Sequence, residues 1–349
     1  MNYRRLGKAG IKVSEIALGS WLTYGTVTEQ KTAEACIHHA YDLGINHFDC
    51  ANVYGSAPHE AERFLAQALA PYARDSYVLT TKAFWPVGPG VNDRGLSRKH
   101  LIAQLDQSLT ALGTDYVDIF YCHRYDPDTE MEEILSTIDD QVRAGKIRYG
   151  GISEWPAERI AEAVSVQNAM GLHPLRASQP VYNMFSRYIE QAVLPICEQN
   201  GIGVVVFSPL AQGLLTGKYR LGQATPEGSR AATKEVSHFI TRYLTEEHLT
   251  KIEALMGVAQ ELGLTLSQLA LAWVLRQPGI SSALIGASRP EQITENVKAV
   301  GVQLAPETLD RIEQIRQTFA LMAIISRDGF GVNSGVSFVT LVQKQPCRL

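Results

Sequence analysis

What the 349-residue chain lacks narrows its class first. It has no C-x-x-C pair, and its five cysteines (Cys36, Cys50, Cys122, Cys197 and Cys347) are odd in number and widely spaced, so they are expected to be reduced thiols rather than a disulfide framework. It has no uncharged apolar stretch of the roughly 18 to 20 residues that a membrane helix needs. The start, with Arg4 and Arg5 but no apolar run behind them, lacks the middle region of a secretory signal. A cytoplasmic location is the expectation. Excess charge of one sign is missing too. The 32 basic and 36 acidic side chains leave a net charge of −4, which argues against nucleic acid as the main partner. With 45% hydrophobic residues and no glycine period, neither a disordered nor a collagenous chain fits. There is no internal repeat and no G-x-G-x-x-G, so a Rossmann dinucleotide domain is not expected either.

What is present is an alternation. Short β-branched runs and helix-period segments succeed one another from about residue 15 to residue 300, the pattern of parallel strands with crossover helices. Strands are expected near Ile16–Leu18, Asn46–Asp49, Tyr77–Lys82, Val117–His123, Tyr149–Ser153, Ala177–Pro180, Val204–Ser208 and Ala283–Ile285. Eight is the closing number of an α/β barrel. Helices are expected near Glu29–Leu43, Glu60–Leu69, Arg98–Leu112, Met131–Ala144, Ala157–Met170, Ile189–Asn200, Glu247–Leu262 and Glu291–Val300, several with an apolar stripe such as Leu101, Leu105, Leu109 and Leu112. The segment from Tyr3 to Ser14 reads as a hairpin that could plug one end of the barrel. Two connections, Ala83–Ser97 and Leu210–Thr245, have the length of functional loops. The fold expected is therefore a (β/α)8 TIM barrel with an N-terminal β-hairpin, a single unit over 1–319. Residues 320–349 fit no barrel element, and their composition leaves a docking arm and a disordered tail both open.

Active sites of such barrels lie at the C-terminal strand ends. There the sequence puts Asp49 and Tyr54 after the second strand, Lys82 at the end of the third and His123 at the end of the fourth. Each alone has an ordinary explanation as a rim, turn or core residue. Together they suit the reduction of a carbonyl by hydride, which needs a proton donor at the developing alkoxide. Tyr54 is the candidate acid, with a pKa near 10 expected to be lowered by the Lys82 ammonium. Asp49 would orient Lys82, and His123 would polarise the carbonyl oxygen. Gly213-Leu-Leu-Thr-Gly-Lys is one residue short of a P-loop and is not read as one. Gly286-Ala-Ser-Arg-Pro-Glu, between the last strand and its helix, is a helix start that can hold phosphate, with Ser288 and Arg289 available to an adenosine 2′-phosphate.

The run Phe48-Asp-Cys-Ala-Asn-Val-Tyr-Gly, with the later Thr-Thr-Lys and His, resembles the aldo-keto reductase family over about residues 3 to 316. Arg94-Gly-Leu-Ser-Arg-Lys-His, Tyr116-Val-Asp-Ile-Phe, Met131-Glu-Glu, the stretch Ser208 to Tyr219 and Leu284-Ile-Gly-Ala-Ser-Arg-Pro-Glu-Gln are similar to its branch of potassium channel beta subunits and bacterial glyceraldehyde phosphate reductases. The resemblance implies the tetrad Asp49, Tyr54, Lys82 and His123. It also implies a nicotinamide cofactor, NADP(H), near Ser20, Trp21 and Asp49. Ser153 and Gln179 would meet its amide, Phe207 would stack on the ring, and Ser208, Pro209, Leu210, Ala211 and Gln212 would follow the pyrophosphate. Lys218 and Arg230 would clamp phosphate oxygens, and Gly286, Ser288, Arg289, Gln292, Glu295 and Asn296 would hold the adenosine end. Three cations, Lys218, Arg230 and Arg289, favour NADP over NAD. No metal is expected. Trp21, Tyr24 and Trp85 would border the substrate mouth, and the partner expected is a small carbonyl compound. Relatives are often multimers, so a homo-oligomer is implied by them alone. Channel beta subunits carry tryptophan and asparagine where this chain has Phe207 and His123, which favours an NADPH-dependent reductase over an NADP(H)-binding regulatory subunit. A lysine Schiff-base lyase is a third reading, disfavoured because Asp49 should keep Lys82 protonated.

Overall fold

The computed structural model describes residues 1–21 and 29–327. Eight parallel strands close into a barrel: β3 (Ile16–Gly19), β4 (His47–Asp49), β5 (Val78–Ala83), β6 (Val117–Cys122), β7 (Ile147–Ser153), β8 (Ala177–Gln179), β9 (Gly203–Val206) and β10 (Ile280–Ile285). Neighbours in sequence are neighbours in space, and β10 closes on β3. Side chains alternate along each strand. Phe48, Leu79 and Phe120 point out to the helices, while Ala17, Val78, Ile119, Tyr121, Ala177, Val205 and Leu284 fill the interior. The same alternation sends Asp49, Lys82 and His123 inward at the strand ends.

The helices that cover the barrel are α1 (Gln30–Asp42), α2 (Glu60–Leu69), α3 (Arg98–Leu112), α4 (Met131–Arg143), α5 (Ala157–Met170), α6 (Val193–Asn200), the short α7 (His238–Thr241), α8 (Glu246–Glu261), α9 (Leu266–Leu275), α10 (Pro290–Val297) and α11 (Pro306–Arg327). The expected helix over Ile189–Asn200 is split into a 3-10 turn at Tyr188–Glu190 and α6. Pro195 has no N–H and clashes with the carbonyl four residues back, so it is tolerated only in a first turn. The expected strand to Ser208 stops at Val206, because Ser208 takes a left-handed φ of 52°.

Three helices lie where none is expected, the four-residue α7 inside the expected long loop among them. In α9 all ten residues are buried. A helix apolar all round leaves no 3.6-residue stripe to detect, although its capping box, Thr265 with Gln268, is written in the sequence. Helix α11 crosses the expected boundary at 319/320 and runs to Arg327, since no glycine or proline interrupts the chain before Gly329. The rest of the expected tail lies outside the described residues, as does Tyr24.

The hairpin is formed as expected, β1 (Tyr3–Arg5) pairing antiparallel with β2 (Lys12–Ser14). It seals the N-terminal end of the barrel, with Leu6 and Val13 fully buried among the interior residues. Arg4 fastens it, its guanidinium bonding Glu15 at 2.6 Å and the carbonyls of Leu275 and Ile280 at 2.8 Å. The N–H of Lys8 donates to the carbonyl of Gly201 at 2.9 Å. This contact needs glycine at position 7, where φ is +55° and a Cβ would stand 2.5 Å from the backbone nitrogen of Gly203. Gly7→Ala should therefore cost about 2 to 4 kcal/mol in urea unfolding. Gly10→Ala, in the same hairpin with nothing within 4 Å of its Cβ position, should be close to neutral.

Candidate active site

At the C-terminal end of the barrel a cleft of about 1100 Å³ opens between the loops. On its floor, β4 and β5 pair with Asp49 opposite Thr80, which brings Lys82, one turn of the pleat further on, beside the Asp49 carboxylate. The Lys82 ammonium is fully buried and donates to Asp49 Oδ2 at 2.5 Å, to the carbonyl of Cys50 at 2.8 Å and to the Tyr54 hydroxyl at 3.3 Å. All three donors are used. The other oxygen of Asp49 accepts from Thr80 Oγ1 at 2.7 Å and from Gln179 Nε2 at 2.9 Å. Tyr54 reaches this floor from the loop between β4 and α2, tied down where the Ala61 N–H donates to its carbonyl. Its hydroxyl stands 3.4 Å from His123 Nε2, so it is bracketed by an ammonium and an imidazole.

Electrostatics assigns each group a charge. Burial by itself would pull the Lys82 ammonium down, but the Asp49 charge, the Tyr54 oxygen and the hydrogen bond to Asp49 outweigh it and hold Lys82 above its ordinary value. An ammonium so held is a poor nucleophile, which counts against the Schiff-base reading. Burial drives His123 well below its ordinary value, and the positive charges of Lys82 and Arg124 push the same way, so the imidazole is neutral. Its Nδ1 is buried without a hydrogen-bond partner among the described residues. A bare lone pair is the cheaper orphan than an N–H, which assigns the proton to Nε2, facing Tyr54 and the cleft. The expectation for Tyr54 needs correction. Burial raises its pKa by more than Lys82 lowers it, so the phenol lies above its ordinary value. The sequence shows the lysine but not how far the surrounding loops desolvate the half-buried ring.

The opposite side of the cleft is built for anions. After β9 the loop takes left-handed φ at Ser208, Ala211, Gln212 and Gly213, with the Ala211 and Gly213 N–H groups donating back to the carbonyls of Ser208 and Leu210 at 3.0 and 2.9 Å. Gln212 laces it, donating to Ser208 Oγ at 2.6 Å and accepting from the Arg230 guanidinium. Lys218 is lowered by burial and then by the charges of Arg230 and Arg289. These three cations converge without a carboxylate in ion-pair contact among the described residues. At the start of α10 the Ser288 N–H is taken up by Gln292 Oε1 at 2.9 Å, with Arg289 and Pro290 opening the helix. Clustered cations and a helix N-terminus on one side of the cleft together fit a polyphosphate-bearing cofactor.

The profile of the Aldo/keto reductase family matches residues 15–317. The chain belongs to this family. It is 42% identical over 323 residues to a probable voltage-gated potassium channel subunit beta of Arabidopsis thaliana, covering 91% of this chain and 97% of the relative. It is 41% identical over 322 residues to the L-glyceraldehyde 3-phosphate reductase of Escherichia coli K12, covering 90% of this chain and 92% of the relative. A putative voltage-gated potassium channel subunit beta of Schizosaccharomyces pombe is 41% identical over 321 residues. Aldo-keto reductases bind a nicotinamide dinucleotide and act on small carbonyl compounds.

Most of the site residues expected of this aldo-keto reductase line the one cleft: Trp21, Asp49, Tyr54, His123, Ser153, Gln179 and Phe207, then Ser208, Pro209, Leu210 and Gln212, with Lys218, Arg230, Gly286, Ser288, Arg289, Gln292, Glu295 and Asn296. Ser20, Lys82 and Ala211 do not reach its surface. The Ser20 hydroxyl instead donates to the Asp49 carbonyl at 3.0 Å, and Ala211 is fully buried under its loop. Gln179, expected at the nicotinamide amide, gives its Nε2 to Asp49. Trp85 borders the mouth as expected, 39% exposed. Sequence reading missed Thr80, Arg124 and Glu154. Thr80 was findable, since it stands two residues before Lys82 and so faces inward with it. Among the described residues no group of His, Cys, Asp and Glu could hold a metal ion, and no single helix is long and apolar enough to cross a membrane.

His47, two residues before Asp49, faces the same interior with neither ring nitrogen partnered among the described residues. Burial lowers its pKa from 6.5 to about 4, the Asp49 charge opposing and Lys82 adding to the shift. Above the upper value both folded and unfolded chains carry it neutral. Between the two only the unfolded chain binds the proton, so stability is lost as pH drops from the upper value to the lower, by about 3 kcal/mol in total. Urea unfolding at neutral pH and near pH 4.5 should show this loss, and His47→Leu should reduce it.

Proposed function

We propose that this chain is an NADPH-dependent reductase of aldehydes or ketones with Tyr54 as the general acid. The observation that carries the reading is the Tyr54 hydroxyl held between Lys82 Nζ and His123 Nε2 at the floor of the cleft. A carbonyl oxygen placed there meets two donors, the phenol and the Nε2–H of a neutral imidazole. The reduced nicotinamide, when bound, supplies the hydride to the carbonyl carbon. Tyr54 gives its hydroxyl proton to the oxygen, and the overall balance is carbonyl compound plus NADPH plus one proton to alcohol plus NADP+. A phenol held above its ordinary pKa keeps its proton through neutral pH until the alkoxide develops. Lys82, fixed as an ammonium, then stabilises the phenolate until a proton from water restores it.

Ser153, Gln179 and Phe207 would hold the nicotinamide, and the segment from Ser208 to Gln212 with Arg230 the pyrophosphate. Lys218, Arg230 and Arg289 favour the additional dianionic phosphate of NADP(H). A cytoplasmic location is part of the reading. Burial raises the thiols of Cys36 to about 11 and of Cys122 and Cys197 to about 12, values at which they stay protonated and unreactive.

Tyr54→Phe should lower kcat for NADPH oxidation with a reactive aldehyde by about 100-fold or more while NADPH binding persists. Equal rates for the two proteins would overturn the mechanism. Arg289→Leu should weaken NADPH by about tenfold and leave NADH nearly unaffected in fluorescence titrations. Tighter binding of NADH than of NADPH to the unaltered protein would sink the phosphate assignment.

A further inference from the structure

Accepting the reductase reading, a charge inventory of the cleft leaves two cations outside the phosphate-holding cluster: the exposed Arg242, whose guanidinium donates to the Tyr243 hydroxyl, and Arg124. Asp49 and Lys82 neutralise one another, and Tyr54 and His123 are neutral. Lys218, Arg230 and Arg289 gather after β9 and β10. Arg124 stands after β6, which in the strand order lies directly across the barrel from β10. It therefore belongs to the wall opposite the phosphate-holding cluster. It lines the same cleft beside Tyr54, Trp85 and His123.

Its position is held rather than free. One nitrogen donates to the carbonyl of His123 at 2.6 Å, and the guanidinium lies 5.4 Å from the centre of the Trp85 ring. Trp85 in turn meets the His123 ring edge-on at 6.3 Å, so guanidinium, indole and imidazole form one wall. Among the described residues Arg124 makes no ion pair. The anion in the same wall is engaged elsewhere: Glu154 Oε1 accepts from the Val181 N–H at 2.6 Å and from the Tyr188 hydroxyl at 2.9 Å. A guanidinium stacked on an aromatic face keeps its remaining N–H donors in a planar fork that matches a carboxylate or a phosphate.

We infer that Arg124 is the substrate's anion anchor, so that this site prefers short aldehydes or ketones bearing a carboxylate or phosphate over neutral carbonyl compounds of the same length. With the carbonyl oxygen at Tyr54 and His123, a charged group at the far end of a short chain falls within reach of the guanidinium. Carboxylate and phosphate present the same oxygens to it, so only the substrates can tell the two sources apart.

The test compares kcat/KM for succinic semialdehyde against butanal, and for glyceraldehyde 3-phosphate against glyceraldehyde, with NADPH saturating. The unaltered protein should prefer the anion of at least one pair, and the pair concerned identifies carboxylate or phosphate. In Arg124→Gln that ratio should fall by about tenfold or more, and Arg124→Lys should restore part of it. Added salt should erode the preference in the unaltered protein and leave Arg124→Gln unmoved. NADPH titration of each variant reports whether it is folded. A ratio near one in the unaltered protein, or an anion preference untouched in both variants, overturns the inference while leaving the reductase reading in place. Should none of the four compounds be reduced, the reductase reading fails instead. Binding of succinate against succinamide to the NADP+-loaded protein, by calorimetry, then decides the anchor: an anion preference lost in Arg124→Gln supports it, and equal binding overturns it.

Discussion

The buried pair of Asp49 and Lys82 organises this protein more than any other contact. Both side chains are almost wholly removed from water, at 4% and 0% exposure. Two isolated charges in that setting would be very costly, and their attraction offsets the desolvation only because both carboxylate oxygens and all three ammonium protons are hydrogen-bonded. Thr80 and Gln179 take one Asp49 oxygen, Lys82 takes the other, and Cys50 and Tyr54 complete the ammonium. In the strand order β8 lies across the barrel from β4, so the Gln179 bond to Asp49 spans the interior from wall to wall. The floor of the cleft and the closure of the barrel are thus one network. Shifting β4 by a single residue would turn Asp49 outward and replace an ion pair with two unpaired charges.

That network explains how much could be read from the sequence. An ion pair at adjacent strand ends needs only the strand order and the two-residue alternation, both of which are written in the apolar pattern, so Asp49, Tyr54, Lys82 and His123 were legible together. The cofactor side was legible largely through family resemblance, because its positive φ values at Ser208, Ala211 and Gln212 fall on non-glycine residues that announce nothing. Three features were hidden for physical reasons. Helix α9 is buried on all sides and so has no stripe. The desolvation of the half-buried Tyr54 is a property of packed loops rather than of any one residue, and it reverses the direction of the expected pKa shift. Arg124 sits next to a recognised histidine, but whether it pairs with a carboxylate is decided by chain segments far away in sequence.

The reversed shift on Tyr54 does not weaken its proposed part as an acid. A donor must hold its proton before the reaction and release it during it, and these are different demands. Burial serves the first by disfavouring the phenolate in the resting site. The fixed ammonium of Lys82 serves the second, since its stabilisation of the phenolate is strongest in the same water-poor surroundings that make the resting phenol reluctant. Lowering the resting pKa outright would leave a fraction of the sites without a proton to give.

The distribution of charge follows the same logic across the cleft. Cations collect on the wall after β9 and β10, where the backbone is strained, at a cost of about 1 kcal/mol or more for each non-glycine residue held at positive φ. Such strain persists only where the surroundings over-determine it, and here Gln212 is fixed from both sides by Ser208 and Arg230. The floor between the walls is neutral overall, so a carbonyl compound bound there is polarised by hydrogen bonds rather than held by charge. A neutral floor cannot distinguish one small carbonyl compound from another by electrostatics. That discrimination falls to the far wall, where Arg124 is stacked against Trp85 and the cleft opens to solvent.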